Sequence, residues 1–150
     1  MLKRIFAILL VMIVLVAAGA AQQKTVVRSA KAKQMLLGRH KISLQWISWD
    51  YFGKANVTER KGVIFLKGRQ DGRKSTDFVT VDGVIISVDD KEFAFKGKVV
   101  TQISHINGGK PCTRDGEMTF RITGKRKYWR MQEIDNPCDE AADYVDIYFR

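Results

Sequence analysis

The sequence predicts an all-β protein: an antiparallel sandwich or meandering barrel of about 8–10 short strands, held by one disulfide. Three observations point there. From Gly38 onward, apolar residues alternate with polar ones instead of recurring at helical spacing. Turn signals rich in glycine punctuate these runs at close intervals. Two cysteines, Cys112 and Cys138, occur in a chain whose beginning has the form of an export signal, and oxidising compartments favour their pairing.

The chain begins Met-Leu-Lys-Arg, runs apolar from Ile5 to Ala18 without a charge, and reaches the small residues Ala18-Gly19-Ala20-Ala21. A basic start, an apolar centre and small residues near the end are the parts of a secretory signal peptide. Residues 1–20 are therefore expected to be a leader, cut after Ala20 or Ala21, and the protein to be periplasmic or secreted. An uncleaved membrane anchor is the alternative, but a span needs about 20 apolar residues, so contact with a membrane is expected only through a retained leader. Residues 21–37 read as a mobile basic arm, because Lys24–Lys41 holds only positive charges and little apolar periodicity before Met35. Residues 38–150 are then a single all-β domain.

Within that domain Ile42, Leu44 and Trp46 share one strand face, with Lys41, Ser43 and Gln45 on the other. Ala55 and Val57 continue the pattern to a turn at Arg60-Lys61-Gly62. Val63–Lys67 is apolar enough for a central strand, interrupted by Gly68, and Asp71-Gly72 marks a turn. Phe78–Val81 and Val84–Val88 flank Asp82-Gly83, which reads as the tight turn of a hairpin. Phe93, Phe95, Val99 and Ile103 alternate with polar residues in one long strand or two, with Gly97 as a bulge or bend. Asn107-Gly108-Gly109 breaks the pattern. Met118, Phe120 and Ile122 form the next strand, Gly124-Lys125-Arg126 turns the chain into Lys127–Ile134, and Asp135–Asp143 is a loop or short helix. Val145, Ile147 and Phe149 make a last inward row, which must find a partner strand because an unpaired apolar edge invites aggregation.

Charge narrows the function classes. Of 26 basic residues, Lys3 and Arg4 leave with the leader, so 24 face 16 acids and the mature net charge is +8. Such a charge attracts polyanions, and export makes nucleic acid an unsuitable target. Nine bases and two acids lie between Lys96 and Arg130, and six acids without a base between Met131 and Phe149. The two stretches either face each other as surface ion pairs, each worth about 0–1 kcal/mol, or Lys125, Arg126, Lys127 and Arg130 flank an aromatic to make a basic platform. Strand alternation puts Tyr128 and Trp129 on opposite faces, so one belongs to the core. Asp139, Glu140, Asp143 and Asp146 lack the spacing of a calcium loop, and no cofactor or metal is expected.

A Cys112–Cys138 bond would close a loop worth about 3 kcal/mol in the chain-entropy picture. Against this stands His105 in Ser104-His105-Ile106-Asn107, seven residues before Cys112. The arrangement resembles the Ser-His-Gly-Cys signature of the L,D-transpeptidases, cysteine enzymes that cross-link peptidoglycan. That resemblance would make Cys112 a nucleophile and His105 its partner, although in the family the two are almost contiguous and here Gly-Gly-Lys-Pro intervenes. More widely, Ser43-Leu44-Gln45-Trp46-Ile47-Ser48-Trp49, Lys127-Tyr128-Trp129-Arg130, Asn136-Pro137-Cys138-Asp139 and Asp143-Tyr144-Val145-Asp146-Ile147-Tyr148 resemble a family of small exported bacterial proteins of unknown function. It supplies no activity to carry over. The expectation is a non-catalytic envelope protein that binds an anionic glycan, lipid head group or cell-wall polymer through Lys125, Arg126, Lys127, Trp129 and Arg130. The alternatives are a module that binds another envelope protein, or inhibits it, through exposed aromatics, and a cysteine-dependent cell-wall enzyme.

Overall fold

The computed structural model describes residues 21–150, and the expected leader lies outside them. In chain order the elements are β1 (Val26–Val27), α1 (Ala30–Leu36), β2 (Gly38–Leu44), β3 (Gly53–Arg60), β4 (Val63–Asp71), β5 (Phe78–Val88), β6 (Glu92–Gln102), β7 (Cys112–Arg121), β8 (Tyr128–Met131) and β9 (Val145–Tyr148). Each strand from β2 to β9 pairs antiparallel with the next, and β9 returns to pair with β2. The result is a closed eight-stranded meander with β1 added to the outside of β5. The choice between sandwich and barrel is thereby decided for the barrel. Closure removes the edges that an apolar strand such as β9 would otherwise expose.

An eight-stranded barrel has an interior that side chains alone can fill, and aromatic rings fill this one. Phe93 stacks on Phe120 at 4.9 Å, and Phe95 meets Phe120 edge-on at 5.9 Å. Trp129 packs against Phe93, His40 and Phe149. Ile42, Leu44, Met131, Val145 and Ile147 complete the wall, all buried. Each such side chain stabilises the fold by about 1.5–3 kcal/mol on burial. The inward row of Val145, Ile147 and Phe149 closes the sheet as expected, with Phe149 only partly buried.

Three local readings need correction. Asp82-Gly83 is not a hairpin turn. The strand runs straight through it, and Gly83 pairs with Gly97 on β6. A Cβ on Gly83 would lie 2.3 Å from the Lys96 carbonyl oxygen and 2.8 Å from the Phe95 ring, and one on Gly97 would meet the same ring at 2.7 Å. The facing glycines make room for Phe95 to lie over them, so they serve packing rather than turning. Gly97 likewise carries no bulge; the register shift falls between Ile85 and Ser87. Gly68 does not interrupt β4, whose ladder continues to Asp71, and a Cβ there would meet that of Ala55 at 2.9 Å.

The segment read as a mobile arm is also built into the fold. Thr25 bridges two strands: its hydroxyl donates to the Ile85 carbonyl at 2.6 Å and accepts from the Ile64 amide at 2.9 Å. Val26 and Val27 then pair parallel to Ser87 and Val88. Ser29 caps α1 by accepting from the Ala32 amide, and Ala32 and Leu36 enter the core cluster. Met35 and Leu37 pack partly against the same cluster, but the apolar set spans less than two turns of a seven-residue helix, too short a run to register as helical periodicity.

Cys112 and Cys138 are bonded, with Cα atoms 6.0 Å apart. The bond pins the β8–β9 connection to the start of β7. A buried network does the same beside it. Arg114 donates to Asp143 at 2.9 Å and to the carbonyls of Ile134 and Asp135, while Asp143 also accepts from Asn136 at 3.0 Å and from the Trp46 indole at 3.1 Å. Among the described residues no helix is long and apolar enough to cross a membrane.

Candidate anion-binding groove

The outer faces of β2, β3 and β9 carry an open groove of ≈ 770 Å³, lined by Arg39, Lys41, Phe52, Lys54, Lys127 and Arg150 among others. Its construction follows from the strand register. Arg39 and Lys41 sit two apart on β2 and so point to the same, outer, face. Lys41 is the direct cross-strand partner of Lys54 on β3. The chain's end brings Arg150 beside Gly38, where the guanidinium donates to the Gln34 carbonyl at 3.0 Å. Lys127 arrives from the start of β8, its carbonyl accepting from the Phe149 amide at 2.9 Å. The rings of Phe52, Tyr148, Phe149 and His40 line the groove as well. Phe52 and Tyr148 meet edge-on at 5.0 Å, and the Lys41 ammonium stands 5.2 Å from the centre of Phe52.

The groove thus gathers five basic side chains and no acidic side chain. Among the described residues none of the five forms an ion pair, whereas nine other bases do. Like charges directly opposite on antiparallel strands destabilise a sheet, so Lys41 facing Lys54 is an arrangement that an anion would relieve. His40 lies beneath, both ring nitrogens against carbonyl oxygens: Nδ1 at 2.8 Å from Tyr148 and Nε2 at 2.6 Å from Leu36. Burial pushes the Tyr148 phenol above its usual range, with the Ser43 hydrogen bond opposing.

The residues singled out from sequence are dispersed by the fold. Lys125 and Arg126 stand exposed in the β7–β8 turn, and Lys127 alone of the basic run lines the groove. Trp129 points inward and is 2% exposed, so it belongs to the core and is unavailable as a platform. Arg130 is already occupied. Its guanidinium forks onto Asp146 through two 2.7 Å bonds and lies against the rings of Tyr128 and Tyr144, at 5.1 and 4.3 Å. Burial pushes the Asp146 carboxyl up despite that pairing, while the same hydrogen bonds hold Arg130 above its usual value. The pair is a structural clamp between β8 and β9.

The cysteine reading meets the disulfide. Cys112 holds no thiol while bonded to Cys138, and nucleophilic chemistry there would first require reduction. His105 is exposed and stands edge-on to Trp46 at 5.6 Å. Among the described residues no group of three or more histidines, cysteines and carboxylates gathers to hold a metal.

Arg39, Lys41, Lys54 and Arg150 were not singled out from sequence. The available signal was the outward alternation of Arg39 and Lys41 within a stretch holding no acid.

Comparison with known proteins places the chain. A model of the PM1083 family matches residues 24–149, which takes in every element of the barrel. The chain belongs to the PM1083 family. A relative from Pasteurella multocida (strain Pm70), described as uncharacterised protein PM1083, is 46% identical over 122 residues, 80% of this chain and 77% of that one. No solved structure matches. Membership of the PM1083 family agrees with the expected family of unknown function and brings no activity with it.

Proposed function

We propose that this chain is an exported binding protein of the bacterial envelope, and that it holds an anionic ligand in the groove of Arg39, Lys41, Lys54, Lys127 and Arg150. One observation carries the reading: five basic side chains line one groove with no acidic side chain beside them, and among the described residues none of the five is in an ion pair. A set of that kind stores like-charge repulsion that a phosphate or carboxylate relieves, and arginine and lysine donors bind such groups through charge-assisted hydrogen bonds. The phenyl and phenol rings of Phe52 and Tyr148 add apolar contact beside the charge. Export is supported by the leader-like start and by a disulfide that an oxidising compartment would maintain. The site is displaced from the basic turn toward β2 and β3, which keeps the ligand class and changes the residues.

The test is retention of the chain on an immobilised polyphosphate across a salt series. Retention should weaken steeply with salt. Lys41→Glu with Lys54→Glu should lower affinity by about tenfold for each charged hydrogen bond lost, while Lys125→Glu with Arg126→Glu should leave it nearly unchanged. The reverse ranking of the two double variants would move the site back to the turn. Salt-independent retention of a single protein from envelope material, with no polyanion binding, would favour a protein partner.

A further inference from the structure

The β2–β3 connection, residues 45–52, keeps its large apolar side chains in solvent. Trp46, Trp49 and Phe52 are 37%, 53% and 36% exposed, and among the described residues the other large hydrophobics left so open are Val26 and Val27. The connection is nonetheless fixed. Ile47 donates its amide to the Leu44 carbonyl at 3.0 Å, and the Ser48 hydroxyl accepts from the amides of Asp50 and Tyr51 at 2.9 and 3.3 Å. Gln70 donates to the Tyr51 carbonyl at 2.9 Å, and Trp46 donates to the buried Asp143. An ordered loop that holds tryptophan outward is built for contact, since exposed apolar area of this kind marks interaction surfaces.

Cations stand over two of the loop's rings, while Trp46 lines a hollow with His105, Asp139 and Glu140. The Arg73 guanidinium lies 4.1 Å from the centre of Tyr51, the Lys41 ammonium 5.2 Å from that of Phe52, and Lys54 follows Phe52 on the groove wall. The rings do not form a flat platform of the kind a sugar stacks on. Phe52 meets Tyr148 at 69° and Trp46 meets His105 at 83°, while a cation covers a face of Phe52 and of Tyr51. The exposed indole of Trp49, on a loop whose Phe52 adjoins Lys41 and Lys54, suits the head-group layer of a bilayer, where an indole is half apolar and half hydrogen-bonded and each base gains from anionic lipid. A soluble anion in the groove would use the cations and leave Trp49, outside the lining, idle; a lipid surface uses both.

We infer that this loop docks the chain onto an anionic bilayer surface, with Trp49 seated among the head groups and lipid phosphates met by Lys41 and Lys54 at the adjoining end of the groove. The inference rests on the anionic-ligand reading of that groove and names the ligand's source.

The experiment is co-sedimentation of the chain, purified as the cell produces it, with vesicles of phosphatidylcholine alone or mixed equally with phosphatidylglycerol, alongside binding to soluble polyphosphate. The phosphatidylcholine arm removes any contribution from a retained leader. The mixed vesicles should bind the chain more tightly and shift its tryptophan emission to the blue. Trp49→Ala should weaken vesicle binding about tenfold and leave polyphosphate binding unchanged. Lys41→Glu with Lys54→Glu should weaken both, by about fivefold per residue on vesicles. Trp49 is largely in solvent, and an unchanged melting temperature in the variant confirms that its fold is intact. Polyphosphate binding without vesicle binding, or full vesicle binding by Trp49→Ala, overturns the docking and leaves the groove standing. Loss of neither activity in the double lysine variant overturns both readings.

Discussion

At the scale of single residues, Gly83 and Gly97 face each other across β5 and β6, and the Phe95 ring occupies the space that two side chains would have filled. The obstacle to a Cβ at Gly83 is the Lys96 carbonyl, which is backbone and cannot rotate aside. Gly83→Ala should therefore destabilise the barrel by about 1–3 kcal/mol through strand displacement, read as a lower urea midpoint. An unchanged midpoint would show that the strands part without strain. The same residue explains why a strong turn signal misled: Asp-Gly favours a tight turn when nothing else competes, and here a continuous ladder on both sides of β5 competes and wins. Trp129 and Arg130 give a related lesson. Alternation correctly places one of the pair Tyr128 and Trp129 in the core, but only the opposing strand reveals that Arg130 has a carboxylate of its own in Asp146.

At the scale of elements, the β8–β9 connection is the part with least regular structure and most polar anchorage. Asp143 is fully buried and serves Arg114, Asn136 and the Trp46 indole together. Removing it by Asp143→Ala leaves the Arg114 guanidinium buried without its counter-charge, a loss of about 3–5 kcal/mol. Thermal unfolding should register that loss, and Asp143→Asn should recover part of it by keeping acceptor geometry for Trp46. If alanine costs less than 1 kcal/mol, taken as an ordinary surface pair, water must reach Arg114 and the network is not a dry anchor. The disulfide works in parallel with this network, since Cys138 sits on the same connection and Cys112 opens β7. Because Trp46 belongs both to the network and to the exposed aromatic loop, the anchor of β8–β9 also orients the surface proposed to meet lipid.

At the scale of the whole molecule, β9 is the closing stave. It pairs with β2 on one side and β8 on the other, and its loss would open the barrel between them. Truncation after Cys138 should abolish cooperative folding, seen as loss of near-ultraviolet circular dichroism and of a sharp thermal transition. A soluble truncated chain with a cooperative melt would show that seven staves suffice. Closure has a functional consequence too. The groove draws its cations from residues 39–41, 54, 127 and 150: the β2–β3 pairing brings Lys54 to Lys41, and the return of β9 to β2 adds Lys127 and Arg150.

Alternation and turn residues in the sequence were enough to determine an all-β class, most strand positions, the inward row of the last strand and the cysteine pair. Those properties are local or follow from count: a period of two is written residue by residue, and two cysteines that pair have only each other. Tertiary structure alone decided the rest. The barrel was chosen over the sandwich by the pairing of β9 with β2, a contact across the length of the domain. The N-terminal segment acquired structure from single hydrogen bonds and two buried side chains that leave no periodic trace. The basic groove replaced the basic turn because local charge density measures neighbours along the chain, whereas an anion responds to neighbours in space.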